Sequence, residues 1–165
     1  MNKQARLSQH FTLGEMTKTS VKTADGNIPS RVHIENLKRV CGWLEHLREK
    51  SSLTPAPGLT PNPSPRGEGN SDDPIIINSG YRSPAVNKAV GGAPNSNHLT
   101  GCAADIHVSG MEQLIRYAAI LLDISDERQE DFDELLLERS PRGTYWLHFA
   151  VRPSGNRRKV RLIQT

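Results

Sequence analysis

The sequence contains only two cysteines, and their spacing matches no disulfide framework or CxxC motif. Cys41 and Cys102 stand alone, and no CxxC pair is present. Two isolated thiols do not make a disulfide framework, which in small proteins needs several paired cysteines. We therefore expect both thiols to be reduced.

Long apolar runs are missing as well. No stretch approaches the roughly 20 residues that a membrane-spanning helix needs. The polar segment 1–6 is followed by no apolar segment, so we expect no signal peptide. These absences predict a soluble chain that is cytoplasmic as synthesised, and that needs another factor to export or release it if it acts elsewhere.

Neither sign of charge is strongly in excess. Lys and Arg outnumber Asp and Glu by 21 to 18, which gives a formal net charge of +3. Four basic residues lie near the C-terminus: Arg157, Arg158, Lys159 and Arg161. This patch is compatible with an anionic partner and equally with a solvated tail. Because no aromatic interleaving or nucleic-acid motif accompanies it, we expect no nucleic-acid partner.

The stretch from about 51 to 73 is rich in proline and glycine and poor in apolar residues. It cannot contribute a core, because Leu53 and Leu59 are its only larger aliphatic side chains. We interpret it as a mobile insertion at a surface turn, since the entropic cost of a longer loop rises slowly with length. The chain as a whole, residues 1–165, has a length that suits one compact domain.

The remaining sequence alternates between helical and strand patterns. A helix is predicted from Arg31 to Lys50, where apolar residues recur at three- and four-residue steps. Capping boxes at Thr12–Glu15 and Ser109–Glu112 predict two further helices, the first ending near Gly26, and Pro84 predicts another. Strands are predicted at 75–77, 102–108, 132–138, 145–151 and 160–163. This order predicts an α+β fold with a mainly antiparallel sheet and helices packed on it.

One of the six histidines lies in a segment with a spacing typical of metal sites. His98 follows a loop, and Asp105 lies seven residues later on a predicted strand. An unpaired carboxylate among the alanines around it would be costly, which favours a metal partner over a plain strand-edge acid. With His148 from another strand, two imidazoles and one carboxylate would leave a fourth tetrahedral position open, as a catalytic zinc requires. Taken alone, His148 would be read as a core histidine.

Three motifs, in order, carry a family resemblance. Residues 96–105, Ser-x-His-x-x-Gly-x-Ala-x-Asp, resemble the metal motif of the zinc D-alanyl-D-alanine carboxypeptidase family. That family includes phage endolysin peptidases and shares its fold with the Hedgehog signalling domain. Residues 78–83, Asn-Ser-Gly-Tyr-Arg-Ser, are similar to its substrate-side segment, and residues 146–148, Trp-Leu-His, resemble the segment with its last ligand. The resemblance covers most of the chain except the proline-rich stretch and the basic C-terminal end.

The resemblance implies a Hedgehog/DD-peptidase-like fold and a Zn²⁺ ion held by His98, Asp105 and His148. It implies a zinc metallopeptidase that cuts a D,D- or L,D-bond of peptidoglycan stem or cross-bridge peptide, as a carboxypeptidase or an endopeptidase. A prophage endolysin of this kind would act on the cell wall once released. Arg82 would pair with a substrate carboxylate, and Ser96 would hydrogen-bond the substrate backbone. We expect a monomer.

The chain differs from part of the family in the position of the general base. Many members carry an acid three residues before the last histidine, where this chain has Tyr145. Glu138 matches the phage-type branch, in which the acid lies at the end of the preceding strand, and it is our candidate for the base. Two other interpretations stay open. One is a non-catalytic module that keeps the zinc scaffold to bind cell-wall peptide, and the other is a prophage remnant inactivated by its insertion.

Overall fold

The computed structural model describes residues 2–53 and 74–164, which form helices packed on a five-stranded sheet. The helices of this described part are α1 (Leu13–Met16), α2 (Arg31–Leu53), α3 (Pro84–Ala89) and α4 (Met111–Arg128), with a 3-10 helix at Asn97–Thr100. The strands are β1 (Ile77–Ser79), β2 (Ala103–His107), β3 (Glu134–Arg139), β4 (Tyr145–Ala150) and β5 (Lys159–Gln164). The predicted insertion at about 51–73 falls outside the described residues, apart from 51–53, which end α2.

The sheet is mixed, which corrects the expectation of a mainly antiparallel one. Its strand order is β1-β2-β4-β3-β5, and β5 runs parallel to β3. Strand β4 pairs with β2 on one side and with β3 on the other, so β5 cannot form a hairpin with β4. It pairs with the free edge of β3. Instead, segment 151–158 crosses the end of β3, where the backbone N–H of Arg158 donates to the carbonyl of Phe132 at 2.8 Å. The α+β class itself is as predicted.

The predicted helix caps are present at some helix ends and absent at others. The capping box of Thr12 and Glu15 is present, but α1 ends at Met16 and not near Gly26. Ser83 caps α3, whose first residue is Pro84, as predicted. The capping box expected at Ser109 and Glu112 is wrong, because Gly110 is the N-cap of α4 and makes no side-chain cap hydrogen bond.

Helices α2 and α4 cover one face of the sheet and bury the main core there. The stripe of α2 predicted from periodicity is fully buried, and it packs with alternate residues of β2, β3 and β4. Trp43 lies against Phe132 and Phe149, with ring centroids 6.4 Å and 5.3 Å away. Cys41 and Cys102 are buried free thiols. Among residues 2–53 and 74–164, none of the helices combines the length and the hydropathy that a membrane span requires.

The opposite face of the sheet lines a cleft, together with segment 90–97 and His98 of the 3-10 helix. Alternation along the strands decides which side chains reach this face. On β2, Ala104 and Ile106 belong to the core beneath α2 and α4, whereas Asp105 lines the cleft. The same rule directs Glu134, Leu136 and Glu138 of β3 to the cleft.

A close backbone approach at Gly80 holds the N-terminal segment against the sheet. The N–H of Tyr81 donates to the carbonyl oxygen of Met16 at 2.8 Å. A Cβ atom at position 80 would lie 2.3 Å from that same oxygen, far inside van der Waals contact. A side chain at this position therefore requires the two backbone segments to separate.

We expect Gly80→Ala to destabilise the fold by about 1–3 kcal/mol or more, the cost of overpacking against an atom that cannot rotate away. Gly42→Ala is the matched control, because it lies inside α2 and its added Cβ meets no other described part of the chain within 4 Å beyond the adjacent helix backbone. There the substitution should stabilise by about 0.5–1 kcal/mol through helix propensity. Urea unfolding of both variants measures the two effects, and equal shifts would refute this account of Gly80.

Candidate metal centre and cleft

Three elements bring His98, Asp105 and His148 together. His98 lies on the 3-10 helix Asn97–Thr100, Asp105 is the middle residue of β2, and His148 is on β4. Asp105 and His148 are direct cross-strand partners in the antiparallel β2–β4 pair, so their side chains project to the same face. Gly101 ends the 3-10 helix with φ of +72° and returns the chain to β2. Its left-handed conformation favours glycine.

The ligand atoms of this His/Asp/His cluster all lie within 4.8 Å of one another, and all three residues are buried. Oδ1 of Asp105 lies 3.2 Å from Nε2 of His98 and 2.9 Å from Nδ1 of His148. The imidazole rings are 5.0 Å apart between centroids and inclined by 66°. Two imidazole nitrogens and a carboxylate oxygen at this spacing fit a divalent transition metal of the zinc type.

The polar partner on the outer side of each ring indicates which nitrogen faces the cluster. Nδ1 of His98 donates to the carbonyl of Gly80 at 2.6 Å, which leaves Nε2 with its lone pair toward Asp105. His148 has the opposite orientation, because its Nδ1 faces Asp105 and its Nε2 lies 3.7 Å from Oε2 of Glu134. An outward partner of this kind is typical of metal-binding histidines.

The charges of the cluster are strongly coupled. Burial lowers the pKa of His98, in spite of the carboxylate beside it. Burial alone would also lower the pKa of His148, but the hydrogen bond to Asp105 and the Glu134 carboxylate raise it to about 9. The pKa of Asp105 is held well below its ordinary value, because the two imidazoles outweigh its burial. Asp105 is therefore an ionised buried carboxylate, the state that a metal ligand needs.

Arg82 and Ser96 lie beside the cluster, and both also have structural partners. The guanidinium of Arg82 pairs with Oδ2 of Asp105, and its Nε donates to Oγ of Ser79 at 2.8 Å. Ser96 caps the 3-10 helix, where its Oγ accepts from the N–H of His98 at 3.3 Å. Both residues line the cleft. Their proposed contacts with substrate stay predictions.

The cleft in front of the cluster has a volume of about 620 Å³. Segment 90–97 forms one wall, and Trp146 lies in the lining with Glu138, its direct partner across the β3–β4 pair. Burial is the main influence on Glu138 and raises the pKa of its carboxyl. A carboxyl group with a raised pKa, in the same cleft as a metal site, is a suitable proton acceptor.

The sequence interpretation missed a second group of charged residues behind the cluster. Asp133 is completely buried, and Arg157 makes a two-fold contact with it at 2.7 and 2.8 Å. Arg152 and Asn97 add hydrogen bonds of 2.6 and 2.8 Å. The residues interpreted as a basic patch or solvated tail thus include groups that are built into the site. Only the period of two along β3, which places Glu134 on the face of Glu138, offered a signal for any of them.

We expect Asp133→Asn to destabilise the protein by on the order of 2 kcal/mol at neutral pH, because a neutral amide replaces the buried carboxylate that accepts charge-assisted hydrogen bonds from Arg152 and Arg157. Burial would raise the pKa of Asp133, but its hydrogen bonds with Arg157, Asn97 and Arg152 outweigh burial and hold the pKa below its ordinary value. A carboxyl with a depressed folded-state pKa stabilises above its unfolded pKa and loses this contribution as the pH falls through the folded value. The difference from wild type should therefore shrink below about pH 4.

Urea unfolding at about pH 7 and about pH 3 measures this difference. Asp131→Asn is the control, since the side chain of Asp131 is 58% exposed and pairs with Arg158 at 3.5 Å. It should change stability by less than about 1 kcal/mol at either pH. A loss for Asp133→Asn that is independent of pH would contradict the ionic role of Asp133.

Two comparisons with known proteins agree with the motifs. Residues 67–130 match a family model described as Peptidase M15. A segment of 35 residues is 54% identical to a zinc D-Ala-D-Ala carboxypeptidase of Streptomyces albus G. The segment covers 21% of this chain and only 14% of that relative's length. These matches confirm the resemblance to the zinc D-alanyl-D-alanine carboxypeptidase family.

Proposed function

We propose that this protein is a zinc-dependent peptidase that hydrolyses the stem or cross-bridge peptide of peptidoglycan, at a D,D- or L,D-bond. The observation that carries the proposal is the convergence of His98, Asp105 and His148 at the floor of a cleft that also holds Glu138. The family match and the zinc carboxypeptidase relative support the reaction class and the metal. Action as a prophage endolysin, on the cell wall after release, is the context we infer for it.

Each residue of the cleft has a role in this proposal. His98, Asp105 and His148 hold Zn²⁺, which when bound supplies a Lewis acid that polarises the scissile carbonyl and activates a water molecule. Glu138 accepts the proton of the attacking water and passes it to the leaving amine nitrogen, so that the peptide bond is replaced by a carboxylate and a free amine. The raised pKa of Glu138 favours the first of these transfers, because it makes the carboxylate a stronger proton acceptor.

Substrate binding is assigned to Arg82 and Ser96. Two contacts occupy part of the Arg82 guanidinium, those with Asp105 and Ser79. A guanidinium has five N–H donors, so others remain for a substrate carboxylate. A free carboxyl close to the scissile bond is what a peptide ending in, or branching near, a D-amino acid presents. Ser96 is placed at the cleft wall, where its hydroxyl can also reach a peptide group.

The metal assignment predicts one zinc ion per chain in the purified protein. Asp105→Asn should lower zinc affinity by more than the roughly 10–100-fold that loss of an outer-shell partner costs. His107→Gln is the control, because it lies two residues further along β2, is exposed, and is outside the cluster. Elemental analysis and competition with a chelator measure both. Wall-peptide cleavage that persists unchanged after complete zinc removal would refute the proposal.

The second candidate function is a zinc-scaffold module that binds cell-wall peptide without cutting it. Tyr145, in the position where many family members carry an acid, favours this alternative. Glu138→Gln separates the two functions, because removing the proton acceptor should leave zinc binding intact and reduce turnover by about 10²–10⁴-fold. Cleavage of purified wall fragments is the measurement. Wild type and variant that are equally inert on fragments they bind would favour the module.

A further inference from the structure

Glu134, the first residue of β3, lies at the meeting point of four polar side chains. Its Oε1 lies 2.9 Å from Nζ of Lys159 and 3.0 Å from a guanidinium nitrogen of Arg157. Its Oε2 lies 3.0 Å from the amide nitrogen of Asn97 and 3.7 Å from Nε2 of His148. The side chain is 14% exposed, so the carboxylate is held from several sides in a sparsely hydrated place.

The His148 side of this arrangement bears on metal binding. For Nδ1 of His148 to bind a metal, a neutral imidazole must carry its proton on Nε2. Glu134 is the acidic side chain that faces this nitrogen, at a distance that is long for a hydrogen bond but within reach of an ion pair. A carboxylate there favours the Nε2–H tautomer and restricts rotation of the ring.

The Asn97 side connects Glu134 to the other histidine. The amide of Asn97 donates both to Glu134 and to Asp133, at 3.0 and 2.8 Å. Asn97 begins the 3-10 helix on which His98 is the next residue. Glu134 therefore contacts the segments that carry both histidines, although it is not itself a member of the His/Asp/His cluster.

The cations of the C-terminal segment hold the carboxylate from the outside. Lys159 is the direct neighbour of Glu134 in the parallel β3–β5 pair. Arg157 precedes β5, is 52% exposed, and also pairs with the buried Asp133. Their position is explained by the crossing of segment 151–158 over the end of β3, which brings these basic residues against Asp133 and Glu134 behind the cluster.

We propose that Glu134 is a positioning residue for His148, with Lys159, Arg157 and Asn97 as the donors that hold its carboxylate. The inference rests on the proposed zinc site. It assigns to Glu134 the selection of the His148 tautomer that presents Nδ1 to the metal. It also gives the basic C-terminal residues a part in metal binding, which neither their sequence pattern nor the family match indicates.

Glu134→Gln is the most direct test, because it keeps the shape and removes the charge. Three donors, from Lys159, Arg157 and Asn97, then compete for one amide oxygen, so the amide NH₂ turns toward His148. An N–H donor facing Nε2 opposes the proton that the metal-binding tautomer needs. We expect zinc affinity to fall about 10–100-fold, as for other partners of metal-bound histidines.

Two matched variants isolate the contact with His148. Glu35→Gln removes an exposed carboxylate that pairs with Lys38 in α2, and it should leave zinc affinity unchanged. Lys159→Met removes one of the three donors but keeps the carboxylate, so its loss of zinc affinity should be clearly smaller than that of Glu134→Gln. Equal losses in Lys159→Met and Glu134→Gln would mean that the ion pairs alone matter, and would overturn the inference.

Nitrogen NMR of histidine-labelled, zinc-loaded wild type gives a readout that does not depend on the stability of any variant. We expect His148 to be protonated at Nε2 and metal-bound through Nδ1, and His98 to show the reverse pattern. A proton on Nδ1 of His148 would overturn the inference. If wild type does not bind zinc, the proposed function fails. If wild type binds zinc and Glu134→Gln binds it equally well, only the inference about Glu134 fails.

Discussion

The buried carboxylate of Asp105 is the interaction on which the site depends. A single ionised carboxylate inside a sheet would cost several kcal/mol of desolvation without partners. Asp105 has three: the imidazoles of His98 and His148 and the guanidinium of Arg82. These three partners belong to the 3-10 helix, to β4 and to the segment after β1. The Asp105 carboxylate therefore contacts three separate parts of the chain on the same face of the sheet. A divalent cation satisfies the same carboxylate, which explains why the arrangement fits a metal.

A second buried carboxylate has the corresponding role behind the cluster. Asp133 is contacted by Arg152, Arg157 and Asn97, and its backbone N–H donates to the carbonyl of Ala150 at 2.8 Å. These contacts fasten the crossing segment between β4 and β5 to the start of β3. The parallel β5 and the ion pairs are therefore one feature, since the crossing that makes β5 parallel also brings Lys159 to Glu134.

The network of Asp105 and the network of Asp133 and Glu134 have different roles in the site. The Asp105 network defines where the atoms of the His/Asp/His cluster lie, and the network of Asp133 and Glu134 holds Asn97 and the crossing segment behind it. Both are buried on a sheet whose other face packs on α2 and α4, so a displacement of the ligands would have to disturb the core. This rigidity is what a metal-dependent hydrolase needs, because its ligands must be placed before substrate arrives.

Much of the site could be predicted from the sequence, because motif spacing and strand alternation are local properties. The segment from Ser96 to Asp105 placed a loop histidine and a strand carboxylate together, and the period of two along β3 directed Glu138 to the cleft. Local pattern also correctly predicted the helix that begins at Arg31 and the helix that begins at Pro84. It failed at Ser109, where Gly110 takes the cap position, and at the end of α1.

What only the tertiary structure decided is the pairing of groups that lie far apart in the chain. The parallel direction of β5 depends on which edge of the sheet is free after β4 has paired, and no local pattern encodes that. The same holds for the carbonyl of Gly80 as the partner of His98, and for the basic residues at 157 and 159 as partners of buried acids. Composition by itself could specify that these residues are charged. It could not specify that their charges are satisfied inside the fold, because burial is a property of the packed chain and not of the residue.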